Sequence, residues 1–121
     1  METIADKLGK VLGDLGTTGD VEASALVSRD GLLMASNITN GYRPETFGAL
    51  GASMLDVVET ASSVLNKGEV SRIIIETKNI NIITEIVDVK SLIVTTTKNQ
   101  SELRPILTEI EKAAEKVKKA L

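Results

Sequence analysis

The chain has no histidine and no cysteine, and its only aromatic residues are Tyr42 and Phe47. Without histidine there is no ordinary general base at neutral pH, no imidazole metal ligand, and neither a Ser-His nor a Cys-His nucleophile pair. Without cysteine there is no disulfide and no thiolate zinc site, which fits a reducing compartment. Two aromatics are too few for a base-stacking platform and poor for an aromatic-lined cofactor pocket. A dominant charge sign is missing too: 17 acidic and 14 basic residues are mixed along the chain, with none of the basic striping that nucleic-acid binding requires. No apolar run approaches the roughly 18 residues of a membrane span, and the N-terminus lacks the basic-then-apolar order of a signal peptide. These absences set the first expectations: a cytoplasmic protein, not an enzyme, with no cofactor, no metal, no nucleic-acid partner and no membrane partner.

What is present reads as one domain over 1–121, long enough to bury roughly two-thirds of the surface of its unfolded form. Ile4, Leu8, Val11, Leu12 and Leu15 stand at helical spacing and stop at Gly16. Val21 to Ser28 alternates as a strand, and in "ALVSRDGLLMAS" it meets a second strand, Leu32 to about Ser36, through Arg29-Asp30-Gly31, a strong hairpin signal. On this reading Asp30 and Gly31 make the turn, and Leu26, Val27, Leu32 and Leu33 feed the core. A loop from Asn37 to Pro44 precedes a helix of about 23 residues, whose Phe47, Leu50, Met54, Val57, Val58, Ala61, Val64 and Leu65 recur at helical spacing up to Asn66-Lys67-Gly68. Three strands follow, Val70–Thr77, Ile80–Val87 and Leu92–Thr97, joined by hairpin-length turns at Lys78-Asn79 and Asp88–Lys90. A last helix runs from about Ser101 to Leu121, with Pro105 in its first turn or just before it. Apolar side chains on both faces of the strands call for helices on both sides of an antiparallel sheet.

The two long helices differ. The outer face of the last one is dressed with Glu109, Lys112, Glu115, Lys116 and Lys119, whereas that of the middle one reads Glu45, Ala49, Ala52, Ser53, Asp56, Glu59, Thr60 and Ser63, with no basic residue from Glu45 to Asn66. Small side chains admit a close neighbour and uncompensated carboxylates leave the face negative, so this helix reads as a docking surface. Its alternatives are a solvated helix that happens to carry small residues, and a helix whose Gly48 and Gly51 pack close on the protein's own sheet. The isoleucine strand is the other oddity. As the first strand of a meander it falls at a sheet edge, and an apolar edge needs a partner, most simply its own copy. Arg72 and Glu76 flank Ile73, Ile74 and Ile75 on that strand as a candidate ion pair across a two-fold axis, or as ordinary solvated charges.

No reaction site emerges. Gly9-Lys10 lacks the strand, glycines and Ser/Thr of a phosphate loop, and Gly48-Ala49-Leu50-Gly51 lies inside a helix with no basic neighbours. Asp56 and Glu59 at i, i+3 read as solvation rather than a cation site. Lys112, Lys116, Lys118 and Lys119 read as offsetting a helix dipole. Arg43, beside Tyr42 in the long loop, reads either as an ordinary surface arginine or as a side chain able to stabilise phosphoryl-transfer charge in a partner.

The hairpin "ALVSRDGLLMAS", the helix "PETFGALGASMLDVVETASSVL", the strand "RIIIET" and the strand "LIVTTT" together resemble the roadblock family, which includes dynein light chains and MglB-like regulators of Ras-like GTPases. The resemblance implies a five-stranded antiparallel sheet with the middle helix on one face and the terminal helices on the other, in the order α-β-β-α-β-β-β-α. It further implies a dimer in which the strand Arg72 to Glu76 pairs with its twin, with Ile73, Ile74 and Ile75 in the interface. Paired middle helices would then bind a small Ras-like GTPase through Ala49, Ala52, Ser53, Asp56 and Glu59, with Arg43 beside them. The expected function is a noncatalytic homodimeric module that binds and regulates such a GTPase; the alternatives are a nucleotide-indifferent scaffold and a small-molecule sensor.

Overall fold

The structure, a computed structural model, describes residues 2–66, 68–99 and 101–121. Its elements are α1 (Ile4–Leu15), β1 (Val21–Ser28), β2 (Leu33–Ile38), α2 (Pro44–Leu65), β3 (Arg72–Glu76), β4 (Ile80–Ile86), β5 (Ser91–Lys98) and α3 (Leu103–Ala120). The five strands form one antiparallel sheet in the order β2-β1-β5-β4-β3, so the isoleucine strand is an edge, as its place in the meander implies. Lys67 of the expected helix stop lies outside the described residues, but Asn66 ends α2 in a left-handed cap (φ 52°, ψ 48°).

Each face of the sheet carries its own core. On one side Leu8, Leu12 and Leu15 of α1 and Ile106, Ile110 and Val117 of α3 pack on Leu26, Ile83 and Ile93. On the other, Phe47 and Leu55 of α2 pack on Ala23, Ala25, Val27, Leu92 and Val94. With helices on both sides, Ser91 to Thr97 of β5 is buried throughout. Local chemistry fixes the ends of these elements. Thr3 and Asp6 form a reciprocal capping box at the start of α1, each side chain accepting from the other residue's N–H at 3.1 Å. The β3–β4 turn closes with Thr77 N–H on the Ile80 carbonyl at 2.9 Å.

Two expectations about the core fail. Leu32 and Leu33 do not feed it: β2 is the other edge of the sheet, and past the register shift at Leu26/Val27 the strand leaves Leu32 69% exposed. The apolar stripe of the middle helix does not face the sheet either. Of its members only Phe47 is buried, and the inward face is Phe47, Gly48, Gly51 and Leu55. The cause is close approach. A β-carbon at Gly48 would strike the carbonyl oxygen of Gly31, and one at Gly51 would lie 2.7 Å from Val94 Cγ2. The helix therefore docks through its glycines together with Phe47 and Leu55, one of the alternatives weighed against docking by a partner, and Leu50, Val57, Val64 and Leu65 are left exposed.

Candidate interaction surface

The sideways turn of α2 creates the main surface anomaly of the molecule. The N-terminal half of the helix sits over β1 and β5, while Val57, Val64 and Leu65 of its C-terminal half are 70%, 79% and 66% exposed. Register places Ile73 opposite Thr84, Ile75 opposite Ile82, Ile82 opposite Thr96 and Ile86 opposite Leu92, so these isoleucines share the α2 face of the sheet. All four are only partly buried, since α2 does not reach across to β3. Where the start of α2 overhangs β4 there is an apolar recess of about 360 Å³, walled by Phe47, Leu50, Ile80, Ile82 and Val94 with Tyr42 and Arg43 at its rim. Tyr42 and Phe47 meet there with ring centroids 5.8 Å apart.

The residues expected to touch a GTPase separate into two sets. Arg43, Ala49, Ser53 and Asp56 are exposed, Arg43 as the N-cap of α2 and the others along its outward side. Ala52 is half-buried beneath the β1–β2 hairpin, its β-carbon 3.7 Å from where a Gly31 side chain would start. Glu59 is engaged: Arg29 Nη1 donates to both of its carboxylate oxygens, at 2.9 and 2.8 Å. That pair removes one of the three charges expected on the helix and ties α2 to the hairpin turn. Arg29 carried no signal of this role, because the contact joins positions thirty residues apart.

The expected dimer strand also divides by face. Ile73 and Ile75 lie on the α2 side, and Arg72, Ile74 and Glu76 on the α3 side, Ile74 and Glu76 exposed. Arg72 has intramolecular partners: Nε donates to Glu85 and Nη2 to Glu111 of α3, both at 2.6 Å. Those hydrogen bonds hold its guanidinium above the usual arginine range despite partial burial. Nearby, burial pushes the Asp88 carboxyl up, but hydrogen bonds from the Lys90 amide and the Ser91 hydroxyl and amide, helped by the charge of Lys118, outweigh it and hold the group below its ordinary value. Among the described residues no group of acidic side chains is placed to hold a metal ion, and no helix is long and apolar enough to cross a membrane.

The sheet order, the helices on both faces and the element order α-β-β-α-β-β-β-α define a roadblock-type α/β domain. The chain belongs to the Roadblock/LC7 domain family, whose family model matches residues 7–97. Among solved structures it is similar to Myxococcus xanthus MglB, at 19% identity over 98% of this chain and 90% of that one, with a TM-score of 0.89. It is also similar to the gliding protein MglB of Thermus thermophilus, at 12% identity over 99% and 92% with a TM-score of 0.87. A Roadblock/LC7 domain from Streptomyces avermitilis matches at 12% identity over 92% and 94%, TM-score 0.86. No curated protein matches the sequence.

Proposed function

We propose that this protein is a noncatalytic homodimeric module that binds and regulates a small Ras-like GTPase. The observation that carries the reading is the exposed apolar side of α2 next to the partly buried isoleucines of β3 and β4. Fully burying such a side chain is worth about 1.5–3 kcal/mol, and the single chain leaves part of that gain unused. Pairing β3 with its twin antiparallel about a two-fold axis brings the C-terminal half of one α2 towards the N-terminal half of the other. Val64 and Leu65 of one copy then meet the recess around Leu50 and Ile80 of its mate. The outward residues Ala49, Ser53 and Asp56 stay free on each helix for a partner, as does Arg43, and the likeness to MglB supports a GTPase as that partner. Catalysis by this chain itself is not part of the reading: with neither histidine nor cysteine, it contributes contacts that reposition the GTPase's own groups.

Two measurements test this. Sedimentation velocity on the wild type and on Val64→Asp is expected to give a dimer and a monomer, and a monomeric wild type sinks the dimer. Capture on immobilised protein with a nonhydrolysable GTP analogue or with GDP is expected to retain a small GTPase in one nucleotide state. Equal retention in both states would leave a scaffold. If no GTPase is retained, the apolar recess favours the sensor reading.

A further inference from the structure

The opposite face of the sheet carries a surface of different character. There α1 and α3 lie side by side, and between them runs a shallow groove of about 450 Å³. Lys7 and Lys10 of α1 and Lys116 and Lys119 of α3 line it, with Val11 and Ala120 as its apolar part. Ile4, three and seven positions before Lys7 and Val11 on the same helix side, extends that apolar line and is 57% exposed. Glu2 and Asp14 are the carboxylates of the groove. Ion pairs among the described residues join Arg29 to Glu59, Arg72 to Glu85 and Glu111, and Lys112 to Glu109, so none of the four groove lysines is held by a carboxylate. Four lysines against two carboxylates make the groove positive on a chain whose net charge is -3.

We infer that the α1–α3 groove is a docking face for an anionic phospholipid surface. The residue chemistry selects this partner. Lysines are point charges on aliphatic stems, which lie along apolar surface while the amines reach a phosphate layer. Clusters of this size on amphipathic helices are attracted to anionic leaflets, and the exposed Ile4, with the uncovered edge of the half-buried Val11, supplies apolar contact at the boundary between headgroups and acyl chains. A single-stranded nucleic acid would call for stacking rings that the groove lacks, and duplex DNA offers no acyl layer for the exposed Ile4. In this orientation α2 points away from the bilayer and its outward residues remain open to a partner. The expectation of no membrane partner came from the sequence, where Lys7 and Lys10 are separated from Lys116 and Lys119 by nearly the whole chain; packing of α1 against α3 is what unites them.

The test is co-sedimentation of the full chain with phosphatidylcholine vesicles and with phosphatidylcholine vesicles containing phosphatidylglycerol, at low and physiological ionic strength. Binding is expected only to the anionic vesicles and to weaken with salt. Lys7→Ala should weaken it about fivefold, Lys7→Glu/Lys116→Glu should abolish it, and Asp14→Asn should strengthen it. Lys78→Glu/Lys98→Glu makes the same charge change away from the groove and should bind more tightly than the groove variant, with circular dichroism showing both folded. The inference is overturned by absence of binding to anionic vesicles, by equal binding to neutral ones, by equal loss in the two double variants, or by retention on heparin or duplex DNA without vesicle binding. Because the assay contains only this chain and lipid, its outcome is independent of whether a GTPase binds.

Discussion

The two long helices both repeat apolar residues at helical spacing and meet opposite fates. In α3 the stripe Ile106, Ile110, Ala113, Ala114 and Val117 is buried, and long charged residues cover the outside. In α2 the inward face is set by two glycines, and much of the apolar stripe is left to solvent. The difference teaches that periodicity records which side chains are meant to leave water, not which molecule covers them. A glycine pair can bring a helix onto the sheet by close approach and leave Leu50, Val57, Val64 and Leu65 exposed.

The largest effect that could break this contrast is a pair of truncations. Ile110→Ala on α3 is expected to cost about 2–5 kcal/mol in denaturant unfolding at any protein concentration. Val64→Ala on α2 should cost under about 0.5 kcal/mol in dilute solution and more only where the protein self-associates. A concentration-independent loss at Val64 close to that at Ile110 would mean that α2 buries its stripe within one chain. Gly48→Ala sharpens the same point. The added methyl meets the Gly31 backbone rather than a yielding side chain, so a loss of about 1–3 kcal/mol is expected, together with disturbed amide signals in the β1–β2 hairpin. An unchanged hairpin would show that the glycines do not set the helix position.

The smallest effect belongs to the β4–β5 turn, beside Lys118 of α3. Asp88 has a folded-state value below its usual 3.8, so the unfolded chain takes up its proton first as pH falls. Its contribution is present above that usual value and is lost as pH drops through the lower folded one. In Asp88→Asn, Tm is expected to vary less with pH across that acidic window than in wild type, while variants of α2 keep the wild-type slope. Parallel curves for Asp88→Asn and wild type would remove this group from the account.

Much of the fold was legible in the chain because its signals are local. Gly31 and the short turns at Lys78-Asn79 and Asp88–Lys90 mark hairpins, Pro44 and Asn66 bound α2, and burial on both faces shows in runs such as Leu92-Ile93-Val94. The candidate surface was legible only in outline. Arg43, Ala49, Ser53 and Asp56 are exposed as expected, but Glu59 is taken by Arg29, and Arg72 by Glu85 and Glu111, through contacts between distant positions. Leu32 and Leu33 misled because alternation gives a strand's two sides without saying whether the strand is central or at an edge.

The sequence by itself determined the element order, the hairpin connections and the exclusion of histidine- and cysteine-based chemistry, since each follows from residue type or from local spacing along the chain. Only the tertiary structure decided which face of α2 meets the sheet, which carboxylates are already paired, and that lysines from the two ends of the chain share one groove. Those outcomes depend on how closely two backbones approach and on what lies across a gap, and neither distance is written into the spacing of residues along a chain.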